Sequence, residues 1–263
     1  MSVDPLARLR AMTSARVGLG RSGPALPTAP LLAFQRDHAL ARDAVHAPFD
    51  PARVAAGLEP RPTVTVASEA SDRATYLRRP DLGRRLDGES AARLSPGEWD
   101  LAIVIGDGLS APAVHAHAAP VAVRLIDRLA DWRVAPIVLA RMARVALGDE
   151  IGVRLGARMV VVLIGERPGL SAADSLGAYL TWAPAPGRRD SERNCVSNIR
   201  PPHGLGYDAA ADTLAWLIRA AGRLKITGVA LKDDRIDQSR PLKPPPPDPT
   251  LGVGEANNRN SNG

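Results

Sequence analysis

Short apolar runs alternate with longer amphipathic segments through the second half of the chain. Leu101-Ala102-Ile103-Val104-Ile105 and Met159-Val160-Val161-Val162-Leu163-Ile164 are unbroken and rich in β-branched residues, which predicts buried strands covered on both faces. Val134–Leu139 predicts another strand, with Pro136 tolerable near a strand start or edge, and Leu176–Trp182 predicts a fourth. Between and after them lie three helical patterns. Ala111 to about Asp131 carries Val114, Val121, Leu125 and Leu129 on one face; Met142 to about Leu155 contains Gly148 as a weak point; Tyr207 to about Leu224 carries Leu214, Leu217, Ile218 and Leu224. Strands alternating with helices of this length predict right-handed crossovers. The expected fold class is α/β, a Rossmann-like parallel sheet with helices on both faces, preceded by a helical N-terminal arm.

The arm is read as residues 1–95. Asp4-Pro5 opens a short helix to about Arg10, Thr28 caps a helix that runs to about Val45 with Pro30 in its first turn, and Asp50-Pro51 opens another. Thr63-Val64-Thr65-Val66 reads as a short strand, and Ser71–Leu77 as a helix stopped near Pro80. Few long apolar stretches occur here, so the arm is expected to lie on the core, residues 96–237. Residues 238–263 contain Pro244-Pro245-Pro246-Pro247 followed by Asn, Ser and Gly, and predict a disordered Pro-rich tail without a functional role.

Composition narrows the picture. Of 263 residues, 45% are hydrophobic and 24% charged, ordinary for a globular chain, but only 3% are aromatic, so the core must be Ala, Val, Leu and Ile. No apolar run approaches the roughly 20 residues of a membrane span. The N-terminus lacks a signal-peptide pattern, and Cys195 is the only cysteine, which excludes an internal disulfide; the expected location is cytoplasmic. The net charge of +6 reflects either an Arg-rich composition alone or the attraction of an anionic ligand or an acidic partner subunit. The arginines are scattered and no aromatic-interleaved basic stripe occurs, so nucleic acid is not an expected partner.

The stretch from Arg158 to Pro201 concentrates the candidate chemistry. Gly165-Glu166-Arg167-Pro168-Gly169 must turn the chain where a buried strand ends, and the carboxyl ends of such strands are where open α/β sheets bind ligands. That puts Glu166 at a candidate ligand position. Arg193-Asn194-Cys195-Val196-Ser197-Asn198-Ile199-Arg200-Pro201 mixes donors and acceptors with apolar Val196 and Ile199, which suits a segment held against a large polar ligand or another subunit. Cys195 has no recognisable catalytic context; it is either a small buried thiol or a group packed against a large cofactor. The acids Asp174, Asp190 and Glu192 have no His or Lys placed as a partner. Gly106-Asp107-Gly108-Leu109-Ser110-Ala111 fits the dinucleotide pattern G-x-G-x-x-A between strand and helix. The next strand ends Leu139-Ala140-Arg141 without the expected acid, although an Arg could hold a 2′-phosphate. A stand-alone NADP- or nucleotide-binding Rossmann enzyme built on Gly106–Ala111 is therefore the alternative reading. The Gly-rich loop Arg16–Gly23 lacks a Walker Lys-Ser/Thr pair, and His115 and His117, two apart on a helix, do not face one another.

These segments also carry a family resemblance. Gly165-Glu166-Arg167-Pro168-Gly169-Leu170-Ser171, Asp174-Ser175-Leu176-Gly177 and Arg193–Pro201 resemble the small (light, β) subunit of ethanolamine ammonia-lyase. So do Arg16–Arg21, Ala41–His46, Asp72–Leu77, Arg79–Arg84, Gly106–Ala111, Leu147-Gly148-Asp149-Glu150 and Thr227–Asp233, while the tail after about Gln238 lies outside the pattern. The resemblance implies an enzyme that converts ethanolamine to acetaldehyde and ammonia with adenosylcobalamin, as a hetero-oligomer with a large subunit that holds the substrate. It implies that this chain covers the cobalamin and carries no catalytic residue. Val145, Glu166 and Cys195 match the family's cofactor contacts. The Asp-x-His-x-x-Gly motif of proteins that replace the cofactor's lower base is missing, so a base-on cofactor is expected. Subunit number, substrate range and packaging in a bacterial microcompartment are left open.

Overall fold

The β-branched runs pair into one six-stranded sheet in the order β1-β3-β2-β4-β5-β6. A computed structural model gives the fold and describes residues 6–13 and 15–233. In chain order the elements are α1 (Ala7–Met12), α2 (Thr28–His46), α3 (Pro51–Ala56), β1 (Thr63–Ala67), α4 (Arg73–Arg78), α5 (Gly88–Ala91), β2 (Trp99–Gly106), α6 (Ala111–Arg128), β3 (Ile137–Arg141), α7 (Leu147–Leu155), β4 (Ala157–Gly165), β5 (Leu176–Trp182), β6 (Asn194–Ile199) and α8 (Tyr207–Leu224). The expected Pro-rich tail and the Asp4-Pro5 helix start lie outside the described residues. Among the described residues no helix is long and apolar enough to cross a membrane.

The sheet is mixed, which corrects the expectation of a parallel one. β1, β3, β2 and β4 run parallel, but β5 is antiparallel to β4 and β6 antiparallel to β5. The reason is length: Glu166–Ser175, between β4 and β5, is too short for the helical crossover that parallel neighbours need. β6, not among the strands predicted from the hydrophobic pattern, occupies the segment whose mixed polar and apolar residues suit contact with a large polar ligand or another subunit. β1 belongs to the same sheet, so the segment read as an arm contributes a core strand.

Side-chain alternation divides the core between two faces. On one face Leu101, Ile103, Ile105, Val161, Leu163, Ala178, Leu180, Val196 and Ile199 pack with residues of α3, α6 and α8. On the other, Ala102, Val104, Val138, Val160, Val162 and Ile164 pack with Leu147, Ile151 and Leu155 of α7 and with Leu86 and Leu94. α7 fits closely because residue 148 is Gly; a Cβ there would lie 2.3 Å from Val162 Cγ2. Helix boundaries differ modestly from the sequence expectation. Thr28 starts α2 rather than capping it, whereas Asp50 caps α3 by accepting from Ala52 and Arg53 N–H. α7 starts at Leu147 because Met142, at φ 53°, turns the chain first.

Candidate functional site

α7 covers β2 and β4 on its face of the sheet, and β5 and β6 extend beyond it. Their opposite face is closed by α8, where Leu176, Ala178, Leu180, Val196 and Ile199 are buried. On the α7 side the outer strands instead present Tyr179, half-buried, with Cys195 and Ser197, both exposed. This antiparallel extension has one face in the core and one that is open at Cys195 and Ser197, as such sheets allow. With the end of β4 it makes a platform about 10 Å across the strands.

Glu166 sits at one corner of the platform, just past β4. Its backbone N–H donates to Ser175 O at 2.9 Å, and its carboxylate accepts from the Ser175 hydroxyl and from Asn198 N–H at 3.3 Å. Asn198 reaches it by adopting φ 58°, a conformation Asn tolerates better than most residues. Gly177 leaves room for the carboxylate; a Cβ would stand 2.8 Å from Glu166 Oε1 and 3.0 Å from the Tyr179 ring.

Cys195 is the register partner of Tyr179. It is exposed, so the reading of a small buried thiol does not hold. Desolvation by neighbouring chain still pushes its thiol pKa up; a hydrogen bond from Tyr179 opposes this, and the nearby Glu166 charge adds to it. Desolvation likewise raises the Tyr179 phenol, reinforced by Cys195. Val145 lies in the turn before α7, half-buried, and packs on the same core cluster as Tyr179. Val145, Glu166 and Cys195 therefore belong to one side of the sheet.

Two further residues tie this side together. Arg193 Nη1 and Nη2 donate to the two Asp149 carboxylate oxygens at 2.7 and 2.6 Å, and Nη1 also donates to Thr181 Oγ1 at 2.7 Å. Both side chains are essentially inaccessible, at 1% and 0%. This bidentate pair joins α7, which follows Val145, to the entry of β6, which carries Cys195. The 142–145 turn is held from below by Tyr76 of α4, whose hydroxyl donates to Ala143 O at 2.9 Å. Both members of the pair stand in motifs that carry the family resemblance, Gly148-Asp149-Glu150 and Arg193-Asn194-Cys195, but nothing in their spacing announces that they meet.

The alternative nucleotide site fails on geometry. The Gly106–Ala111 turn is filled by the neighbouring strand end: Leu109 N–H donates to Gly165 O at 2.9 Å, and a Cβ on Gly108 would lie 2.2 Å from that same oxygen. Ser110, fully buried, caps α6 through Ala113 N–H and donates its hydroxyl to Ala173 O at 2.7 Å. The groups that would cradle a pyrophosphate are bonded to protein. Asp107 accepts from Ala143 N–H at 2.9 Å and faces Arg73 at 3.4 Å, while burial pushes its carboxyl pKa up. Its work is to hold the β3–α7 turn.

Each histidine of α6 makes one hydrogen bond within the chain, and His117 Nε2 is left buried without a hydrogen-bond partner, 3.9 Å from Asp174 Oδ2. His115 Nε2 accepts from Asp50 N–H at 2.9 Å, and His117 Nδ1 lies 2.9 Å from the Tyr207 hydroxyl. Among the described residues no cluster of His, Cys, Asp and Glu could hold a metal ion. A cavity of about 580 Å³ opens between α2 and the β4–β5 connection, lined by Arg36, Leu40, Asp174 and Arg200 among others, but Val145, Glu166 and Cys195 are not in its wall. The platform, which carries Glu166 and Cys195 and shares its side of the sheet with Val145, is the better candidate.

Fold and site thus define an α/β chain with an open, polar sheet face and a buried frame beneath it. Comparison with known proteins supplies the family. The ethanolamine ammonia-lyase light chain family (EutC) matches residues 3–232. The chain is 59% identical over 243 residues to the ethanolamine ammonia-lyase small subunit of Bradyrhizobium diazoefficiens, covering 89% of this chain and 93% of that protein. It is 58% identical over 241 residues to the small subunit from Rhodopseudomonas palustris (89% and 92% covered) and 54% identical over 240 residues to that from Ralstonia nicotianae (88% of each). The chain belongs to the ethanolamine ammonia-lyase light chain family, and its role is that of the enzyme's small subunit.

Proposed function

We propose that this small subunit binds adenosylcobalamin against the open part of the β5–β6 face and closes over it, while a large subunit holds ethanolamine on the cofactor's other side. The observation that carries this reading is that Glu166 and Cys195 lie on a sheet face left open by the helices among the described residues, on the side of the sheet where Val145 also packs. The residues suit the group: a corrin ring rimmed with amide side chains needs a flat bed with hydrogen-bonding groups at its margin, and Glu166 offers a carboxylate there. Val145 and the exposed thiol of Cys195 offer apolar and weakly polar contact. When bound, the cofactor supplies the radical chemistry that turns ethanolamine into acetaldehyde and ammonia. This chain's residues bind, orient and shield. None is proposed to move a proton.

The order β1-β3-β2-β4 with helices on both faces supports describing the core as Rossmann-like, with the β5–β6 ribbon added. The missing Asp-x-His-x-x-Gly motif supports a base-on cofactor. The single cysteine fits a cytoplasmic hetero-oligomer. Cys195→Ser tests the assignment. Assembled with the large subunit, this variant should recover most of its ethanolamine turnover at saturating adenosylcobalamin. An inactive variant that binds cofactor normally would make Cys195 catalytic and contradict the reading.

A further inference from the structure

We propose that a second pocket, beside the platform, is a binding site for a phosphate group. Four arginines, Arg84, Arg85, Arg188 and Arg189, line a cavity of about 390 Å³. Two carboxylates share the wall. Glu150 is engaged by Arg154 at 3.2 Å and by Leu86 N–H at 2.9 Å, and Asp190 points to solvent, its side chain 95% exposed. Two of the arginines are also neutralised: Arg85 pairs with Glu69 at 2.7 Å, and Arg188 with Glu192 at 2.6 Å. Arg84 and Arg189 make no ion pair within 4.0 Å among the described residues, although the Glu192 carboxylate, already paired with Arg188, accepts from Arg189 N–H and feels the Arg189 charge. Two cations in one concave wall repel each other unless an anion lies between them. The planar fork of Arg is suited to bidentate capture of phosphate oxygens.

The pocket's position says what the anion could belong to. Ala146, next to Val145, lines it, and so does Asp190, close in sequence to the Arg193–Cys195 entry of β6. It therefore borders the platform. Resting on the proposed cofactor site, the phosphate would be the phosphodiester of the cofactor's nucleotide arm; free inorganic phosphate shares the chemistry and is the other source.

The test uses the complex with the large subunit, carrying either the natural chain or the double variant Arg84→Gln/Arg189→Gln. Both side chains are exposed, so folding should survive; Arg84→Lys/Arg189→Lys keeps the charge and should retain part of the binding. Equilibrium binding is measured with three probes: adenosylcobalamin, adenosylcobinamide (the same corrin without the nucleotide phosphodiester) and inorganic phosphate. The double variant should bind adenosylcobalamin roughly tenfold or more weakly, as loss of charged hydrogen bonds implies, and adenosylcobinamide unchanged. Loss of inorganic phosphate binding with unchanged adenosylcobalamin affinity would support the pocket but assign it to the free anion. Unaltered binding of all three probes would overturn the proposal. If the natural complex bound no adenosylcobalamin, the cofactor reading would fail, and the phosphate arm alone would decide the pocket.

Discussion

Glu166 and Cys195 set the chemistry of the platform at the scale of single residues. Glu166 is half-buried, and its partners are a hydroxyl and a backbone N–H rather than a cation, so acceptor capacity remains for a ligand amide. Glu166→Ala should weaken adenosylcobalamin binding by roughly tenfold, the worth of one good hydrogen bond, with a much smaller change in the KM for ethanolamine. Titration of both ligands on the assembled enzyme checks the split. The Cys195 thiol is exposed but its pKa is raised, chiefly by desolvation. The folded chain therefore favours the neutral thiol. The associated stability is present below the ordinary thiol pKa and is lost as pH rises above it. Alkylation of this lone cysteine in the isolated chain should be slower at pH 8 than that of an unfolded peptide of the same sequence, and the gap should close as pH climbs past the raised value. Equal rates at pH 8 would contradict the shift.

The Asp149–Arg193 pair governs how α7 and β6 meet. Removing one member of a fully buried ion pair leaves the other charge stranded, so Asp149→Ala should cost about 3–5 kcal/mol in denaturant unfolding. Replacing both with apolar residues of similar volume, Asp149→Leu/Arg193→Met, should restore most of that loss. The same elements show what the sequence made legible. The unbroken runs at 101–105 and 159–164 and the amphipathic segments at 111–131 and 207–224 became strands and helices close to where the hydrophobic pattern put them. The direction of β5 was legible too, in the short turn-rich link after Gly165, but alternation of strands and helices elsewhere argued for a parallel sheet. β6 hid because its buried residues, Val196 and Ile199, are three apart rather than two; the left-handed Asn198 interrupts the alternation. Glu166 was marked by its place after a buried strand. Tyr179, Ser175 and Asn198 join the site through cross-strand register, which spacing along one chain does not encode.

For the whole molecule, the account assigns binding to this chain and substrate to its partner. The purified chain with adenosylcobalamin should release no ammonia from ethanolamine, and adding the large subunit should restore turnover; release by the chain alone would sink the division of labour. The central claim, that the open part of the β5–β6 face is the bed of the cofactor, has a more direct test. Cys195 projects from that face and is exposed, so Cys195→Trp should fold normally while filling the space above the platform. The decisive measurement is the Kd of adenosylcobalamin for the two-subunit complex containing this variant. The account predicts that the complex assembles and binds the cofactor at least roughly tenfold more weakly, about 1.4 kcal/mol or more. An assembled complex with unchanged Kd would mean that the cofactor lies elsewhere.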